Sequence, residues 1–310
     1  MKISSAGPGA LAAGAVFLGA FFTIAPPASS QNPTVIRVRT DLVNIYASVL
    51  DANGQPVLDL AKGDFQLTEN GVPQTIVRFE AQTARPLDLA LMIDTSGSEY
   101  GDLKIEAQAA DQFISEVVRP GDSLGFFEFD EDVTQIGTFT DDVKLLQTDV
   151  RRMQPGAGTS LFDAIVLGST ALSRRPEDRR RAIVIVTDAG ETTSVSKFDN
   201  ARRTAIASGA LLYSIIVNAV QNENGRNTGG EHALITITDS TGGALFFLHD
   251  VRQIPEMFRR IDRELRTQYL IGYYPHPDPP PGSERHVVLT VKGNYTVHYK
   301  KEYFAAAERE

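Results

Sequence analysis

Five short apolar runs limit what this chain can become. Leu87–Ile93, Leu124–Phe129, Ile183–Val186, Leu211–Val217 and Ala244–Leu248 are apolar at nearly every position. A strand with one wet face alternates apolar and polar residues, whereas a strand apolar throughout needs cover on both faces. The segments between the runs supply that cover. Leu103, Ala107, Ala110, Phe113, Ile114 and Val117 recur at helical spacing, as do Leu161, Ile165, Gly168, Ala171 and Leu172. Ile254, Met257, Phe258, Ile261 and Leu265 do the same after the last run. Strands alternating with helices predict an α/β domain over residues 85–267, a doubly wound and mostly parallel sheet with helices on both faces. Val133–Phe139 reads as an edge strand antiparallel to Leu124–Phe129.

Residues 31–84 and 268–310 carry a different pattern. Val43, Ile45, Ala47 and Val49 alternate with polar or small neighbours, as do Val287, Leu289 and Val291, and Tyr295, Val297 and Tyr299. Asn53-Gly54 and Asn70-Gly71 fall where tight turns need positive φ angles. Pro275–Pro281 is a stiff connector. Each piece is too short to bury a core alone. The two are expected to pair into one small β-sandwich flanking the α/β domain; separate extensions of the central sheet are the alternative. Tyr269, Tyr273 and Tyr274 are read as strand packing.

Residues 1–30 have the form of a signal peptide. Lys2 is their only charge, and Ala28-Ser29-Ser30 offers small residues for cleavage. The apolar stretch Leu11–Ile24 is about 14 residues long, short of the roughly 20 that span a bilayer. The expectation is an exported protein, periplasmic, surface-held or secreted, with no membrane span in the mature chain.

Composition narrows the chemistry. There is no cysteine, which excludes disulfides, thiolate metal sites and a cysteine nucleophile. The five histidines are scattered. A net charge of -9 argues against a nucleic-acid partner. Hydroxyls and carboxylates remain. Two of the apolar runs end in aspartate, at Asp94 and, after Thr187, at Asp188. Asp94 opens the stretch Asp94-Thr95-Ser96-Gly97-Ser98, and Gly158-Thr159-Ser160 precedes a helix. Ligands of doubly wound sheets bind at the carboxyl ends of the strands. Three loops there would bring together oxygen ligands alone, a set suited to a hard divalent cation, Mg2+ first.

These residues resemble the metal-ion-dependent adhesion site of von Willebrand factor type A domains: Asp-x-Ser-x-Ser, a later Gly-Thr, and an aspartate ending a later strand. The resemblance covers roughly residues 87–267. The wider chain is similar to the VWFA-related acidobacterial domain family. It shares Gly63-Asp64-Phe65, the run Glu69 to Gln74 and the run Gln268 to Tyr273. The resemblance implies that Ser96 and Ser98 bind the metal directly and that Thr159 does so when a ligand is bound. It implies that Asp94 and Asp188 hold the metal's waters, and that Mn2+ or Ca2+ can replace Mg2+. It further implies a non-enzymatic adhesion module whose protein partner offers a carboxylate to the metal. Many members carry Gly-Glu-Asp after the second aspartate, where this chain has Ala189-Gly190-Glu191. That difference touches the partner-facing rim more than the metal.

Other readings of the same residues stand beside this one. A structural metal in an envelope scaffold or assembly factor, with contacts through the β-sandwich, fits the same sequence. Gly156–Ser160 lacks the lysine of a phosphate loop. A serine hydrolase needs a base beside Ser96 or Ser98, and His249 is the one histidine at the right edge of the sheet. The arginines between Arg174 and Arg181 read as a solvated loop.

Overall fold

A computed structural model describes residues 42–81, 84–97, 100–217 and 228–307. The signal-peptide reading of residues 1–30 falls outside them. The strands are β1 (Val43–Leu50), β2 (Phe65–Glu69), β3 (Val72–Pro73), β4 (Ile76–Glu80), β5 (Leu87–Asp94), β6 (Ser123–Phe129) and β7 (Val133–Thr140). They continue with β8 (Arg180–Thr187), β9 (Leu211–Ile216), β10 (Leu245–Phe247), β11 (Tyr269–Tyr273), β12 (Glu284–Val291), β13 (Thr296–Tyr299) and β14 (Glu302–Phe304). The helices are α1 (Tyr100–Val117), α2 (Val143–Val150), α3 (Leu161–Ser173), α4 (Phe198–Ser208), α5 (Thr228–Thr241) and α6 (Ile254–Arg266).

The five apolar runs form the parallel part of a six-stranded sheet ordered β10-β9-β8-β5-β6-β7. β7 joins its edge antiparallel to β6. The double cover that the runs require is there. Leu87, Leu89, Leu91 and Ile93 of β5 pack with α1, α2 and α6 on one face. Ala90 and Met92 pack with α3, α4 and α5 on the other. Gly168 has a local reason to lack a side chain: a Cβ there would lie 3.0 Å from the Met92 sulfur. Its absence lets α3 sit close on the sheet.

The flanking segments interleave. One sheet runs β13-β1-β11-β4 and the other β14-β12-β2-β3, so each takes strands from both ends of the sequence. Ile45, Phe65, Leu67, Tyr269, Tyr273 and Leu289 are among the residues buried between them. Tyr274 differs from its neighbours and is half exposed. Asn70 and Gly71 both have positive φ, 47° and 82°, and close the β2–β3 turn. The chain then leaves for the other sheet, where β4 pairs with β11.

The arginine run is solvated only in part: Arg174 and residues 176–178 are exposed, but the other four arginines turn inward. Arg175 and Arg179 reach the fully buried Asp88 at 3.1 and 2.8 Å. Arg180 is buried and donates to the Arg85 carbonyl at 2.8 Å. Arg181 donates to the Ser208 and Arg175 carbonyls. Among the described residues no helix is long and apolar enough to cross a membrane.

Candidate metal centre

β5 and β8 are neighbours, and the chain leaves them in opposite directions, to β6 on one side and β9 on the other. The crevice at such a reversal is open to a ligand, because the following loops diverge instead of crossing it. Asp94 ends β5, Thr187 ends β8, and Asp188 follows at once.

Asp94 is 5% exposed. Its Oδ1 accepts from the Ser96 amide at 3.0 Å and the Ser96 hydroxyl at 2.5 Å. Its Oδ2 accepts from the Thr187 hydroxyl at 2.5 Å. Burial pushes the Asp94 carboxyl up to about 7, against these bonds, and the nearby Asp188 charge adds to the rise. A carboxylate so placed gains from any neutralising partner, whether a proton or a cation.

The second loop is clamped to the first by backbone. The Gly156 amide donates to the Thr95 carbonyl at 3.0 Å, and the Gly97 amide donates to the Gly156 carbonyl at 3.3 Å. Any side chain at Gly156 would run into the Asp130 carboxylate. Thr159 is thereby brought over the first loop, where its hydroxyl donates to Ser96 Oγ at 2.7 Å. Its amide donates to Thr192 Oγ1 at 2.8 Å. A hydroxyl relay thus runs from Thr159 to Ser96 and ends on Asp94.

The third loop supplies Asp188, whose Oδ1 accepts from the Gly190 amide at 2.7 Å. A Cβ on Gly190 would sit 2.8 Å from Thr159 Oγ1 and 2.9 Å from Asp188 Oδ1. The missing side chain leaves a cradle between a hydroxyl and a carboxylate. An octahedral Mg2+ with oxygens at about 2.1 Å sets neighbouring ligands roughly 3 Å apart, close to the Ser96–Thr159 separation. Among the described residues no three histidine or carboxylate side chains gather to hold a metal. Hydroxyls must therefore make up much of any ligand set here, and the donors present fit a hard cation.

The structure brings Asp94, Ser96, Thr159 and Asp188 to this one edge; Ser98 lies outside the described residues. Thr187, Thr192, Gly190 and Glu191 are part of the arrangement too, and the sequence motif names none of them. The hydroxyl run Thr192-Thr193-Ser194 is the signal that points to Thr192. Glu191 does not face outward as a rim residue. Its Oε2 accepts from the Phe162 amide at 3.0 Å, and the Ser194 hydroxyl donates to the same oxygen at 2.8 Å. It caps the N-terminus of α3, where a negative charge is favoured. His249 follows β10, three strands from β5, which at strand spacing is about 14 Å.

Residues 89–191 match the family described as the von Willebrand factor type A domain. Among solved structures, the chain is similar to a von Willebrand factor type A protein from Catenulispora acidiphila. That likeness has 13% identity and a TM-score of 0.50 and covers 87% of this chain and 75% of that one. It therefore reaches the antiparallel sheets as well. The chain is also similar to an aerotolerance-related membrane protein from Bacteroides fragilis NCTC 9343, at 17% identity and TM-score 0.45, over 58% of this chain and 98% of that one. A third is the vWF domain of the type V pili tip protein Mfa5 from Porphyromonas gingivalis, at 11% identity and TM-score 0.47, over 59% and 96%. At these identities the likeness is one of fold. No curated protein matches the chain.

Proposed function

Because the chain carries a von Willebrand factor type A domain, we propose that it is an exported protein-binding module holding one divalent cation. The cation is Mg2+ first, with Mn2+ or Ca2+ as substitutes, and the partner is a protein that offers it a carboxylate. Domains of this class generally mediate protein interactions. The observation that carries the metal is the relay from Thr159 through Ser96 to the buried Asp94, with the Gly190 cradle beside it. Ser96 and Thr159 would hold the cation through hydroxyl oxygens, with Ser98 as a further donor. Asp94 and Asp188 would act through its waters. Neutral hydroxyls donate little charge, so the bound cation supplies an electrophilic position that a carboxylate can occupy. The two aspartates balance its charge from close range. Thr187 keeps the Asp94 carboxylate turned toward the crevice, and the Thr192 hydroxyl fixes the backbone that carries Thr159.

In this reading the chain is not an enzyme. A serine hydrolase of the histidine-dependent kind would need an imidazole beside Ser96, and His249 follows a strand three places from β5. A second reading is an envelope scaffold with contacts through the β-sandwich. What favours it is that Val77, Val288 and Tyr274 there are about half exposed.

Thermal melting in Mg2+ and in EDTA tests the metal. Saturation at 100 times the dissociation constant stabilises by about 2.7 kcal/mol. That is a rise in Tm of roughly 5–10 °C for a domain of this size. Ser96→Ala and Asp188→Ala should each abolish the rise; a response unchanged in both would overturn the site. Partner capture from envelope extracts separates the two functions. The module loses its partner in EDTA, whereas the scaffold keeps it.

A further inference from the structure

A groove of about 600 Å³ opens beside the hydroxyl cluster. Ser160 and Thr193 line it at the end nearest the cluster, and Val133, Val166 and Leu167 give it an apolar wall. Three carboxylates, Glu131, Asp132 and Asp163, line the same groove, with no lysine or arginine among the lining residues. Asp163 accepts from the Val195 and Ser196 amides at 2.7 and 2.9 Å. Burial pushes its carboxyl up, but hydrogen bonds from Ser196 and Val195 outweigh that and hold it below the usual carboxylate range. Glu131 and Asp132 are exposed, and among the described residues neither side chain is in an ion pair. Val195, at the same groove, is 92% exposed.

An apolar wall with an anionic mouth complements a side chain with an apolar stem and a cationic head, which is lysine or arginine. Position ties this groove to the crevice. Ser160 follows Thr159, and its hydroxyl donates to the Glu131 carbonyl at 2.5 Å. An extended segment advances about 3.3 Å per residue. A segment whose carboxylate sits at the cation can therefore reach the groove within about three residues. The chain's net charge of -9 also repels a purely acidic segment, and a neighbouring cation on that segment offsets the repulsion.

We infer that the partner segment is bipolar: an acidic residue for the cation, and a lysine or arginine within about three residues of it, seated between Glu131, Asp132 and the Val133–Leu167 wall. The acidic half rests on the metal reading above; the basic half stands on the groove. Selection of phage-displayed random heptapeptides on the whole chain in Mg2+ tests both halves. The expected winners carry both charges at that spacing. The double variant Glu131→Gln/Asp132→Asn, which leaves the metal set untouched, should bind them roughly three- to tenfold more weakly. It should bind their Lys/Arg→Ala counterparts as well as the unmodified chain does. Winners with an acidic residue and no preference for a basic one would overturn the inference and leave the metal reading standing. Basic winners that lack an acidic residue and survive EDTA would overturn the metal reading and uphold the groove. Equal binding by the double variant, or no enrichment at all, would overturn the inference.

Discussion

Two small residues after Asp188 govern the candidate site at the scale of single atoms. Ala189 is fully buried and has φ 65°, a left-handed conformation that costs an L-residue about 1–2 kcal/mol. The fold tolerates the strain. Gly190 has no such latitude, because its missing Cβ is the space between Thr159 Oγ1 and Asp188 Oδ1. Gly190→Ala should weaken Mg2+ binding by about tenfold, or roughly 1.4 kcal/mol. The displaced atoms are ends of side chains, so folding stability should change by less than about 1 kcal/mol. Calorimetric Mg2+ titration beside a urea melt reads both; full-strength binding by the alanine variant would refute the cradle. The motif residues Asp94, Ser96, Thr159 and Asp188 are legible in sequence because they sit at strand ends and in short polar loops. The roles of Gly190 and Glu191 are not. Each depends on an atom 29 or more residues away, and spacing along the chain carries no record of such a contact.

Elements are joined at the far end of the sheet by Asp88. It lies inside β5, takes a hydroxyl bond from Ser123 of β6 at 2.5 Å, and faces Arg175 and Arg179 from the α3–β8 connection. Burial alone would raise its carboxyl, but hydrogen bonds from Arg179, Arg175 and Ser123 hold it below the usual carboxylate range. A folded-state value lower than the unfolded one stabilises at pH above the unfolded value. That stabilisation is lost as pH falls through the folded value. Asp88→Asn should therefore cost about 3 kcal/mol at pH 7, since it leaves two arginines without their carboxylate. The difference from wild type should shrink as urea melts are taken from pH 5 toward pH 2. A gap that holds steady over that range would contradict the ion-pair account. The long periodic elements, β5, α1, α3 and α6, are readable in sequence. α2 is not, because eight residues give it only Leu146, Asp149 and Val150 as a buried face. Its start is set by the Asp142 side chain, which accepts from the Lys144 and Leu145 amides. The arginine run misleads for a related reason. Local charge density looks solvated until the buried acid it serves, 87 residues away, is seen.

At the largest scale, the two flanking segments depend on each other. β1 pairs with β11 and β13, and β2 pairs with β12, so neither flanking segment has a complete sheet without the other. The junction is polar as well as apolar. Glu69 is buried and accepts from the Tyr273 and Tyr303 hydroxyls at 2.7 and 2.9 Å and from Arg285 at 2.6 Å. Removing residues 268–310 should therefore unfold residues 42–84, because it takes away their strand partners and leaves the Glu69 charge unpaired. Limited proteolysis should cut that segment at the rate of an unfolded chain, while residues 87–217 stay protected. Protection of residues 42–84 after truncation would show that they fold alone. The sequence by itself determined the parallel sheet, its edge strand, the β character of both flanks and the hydroxyl-and-carboxylate makeup of the crevice. Each of these follows from local periodicity or from which residue types are present. Only the tertiary structure decided between the expected single sandwich and separate extensions of the central sheet, turned Arg175 and Arg179 inward to Asp88, and opened an acidic groove beside Thr159. Those depend on long-range pairing, which buried charge and strand complementarity set and which no window of the sequence contains.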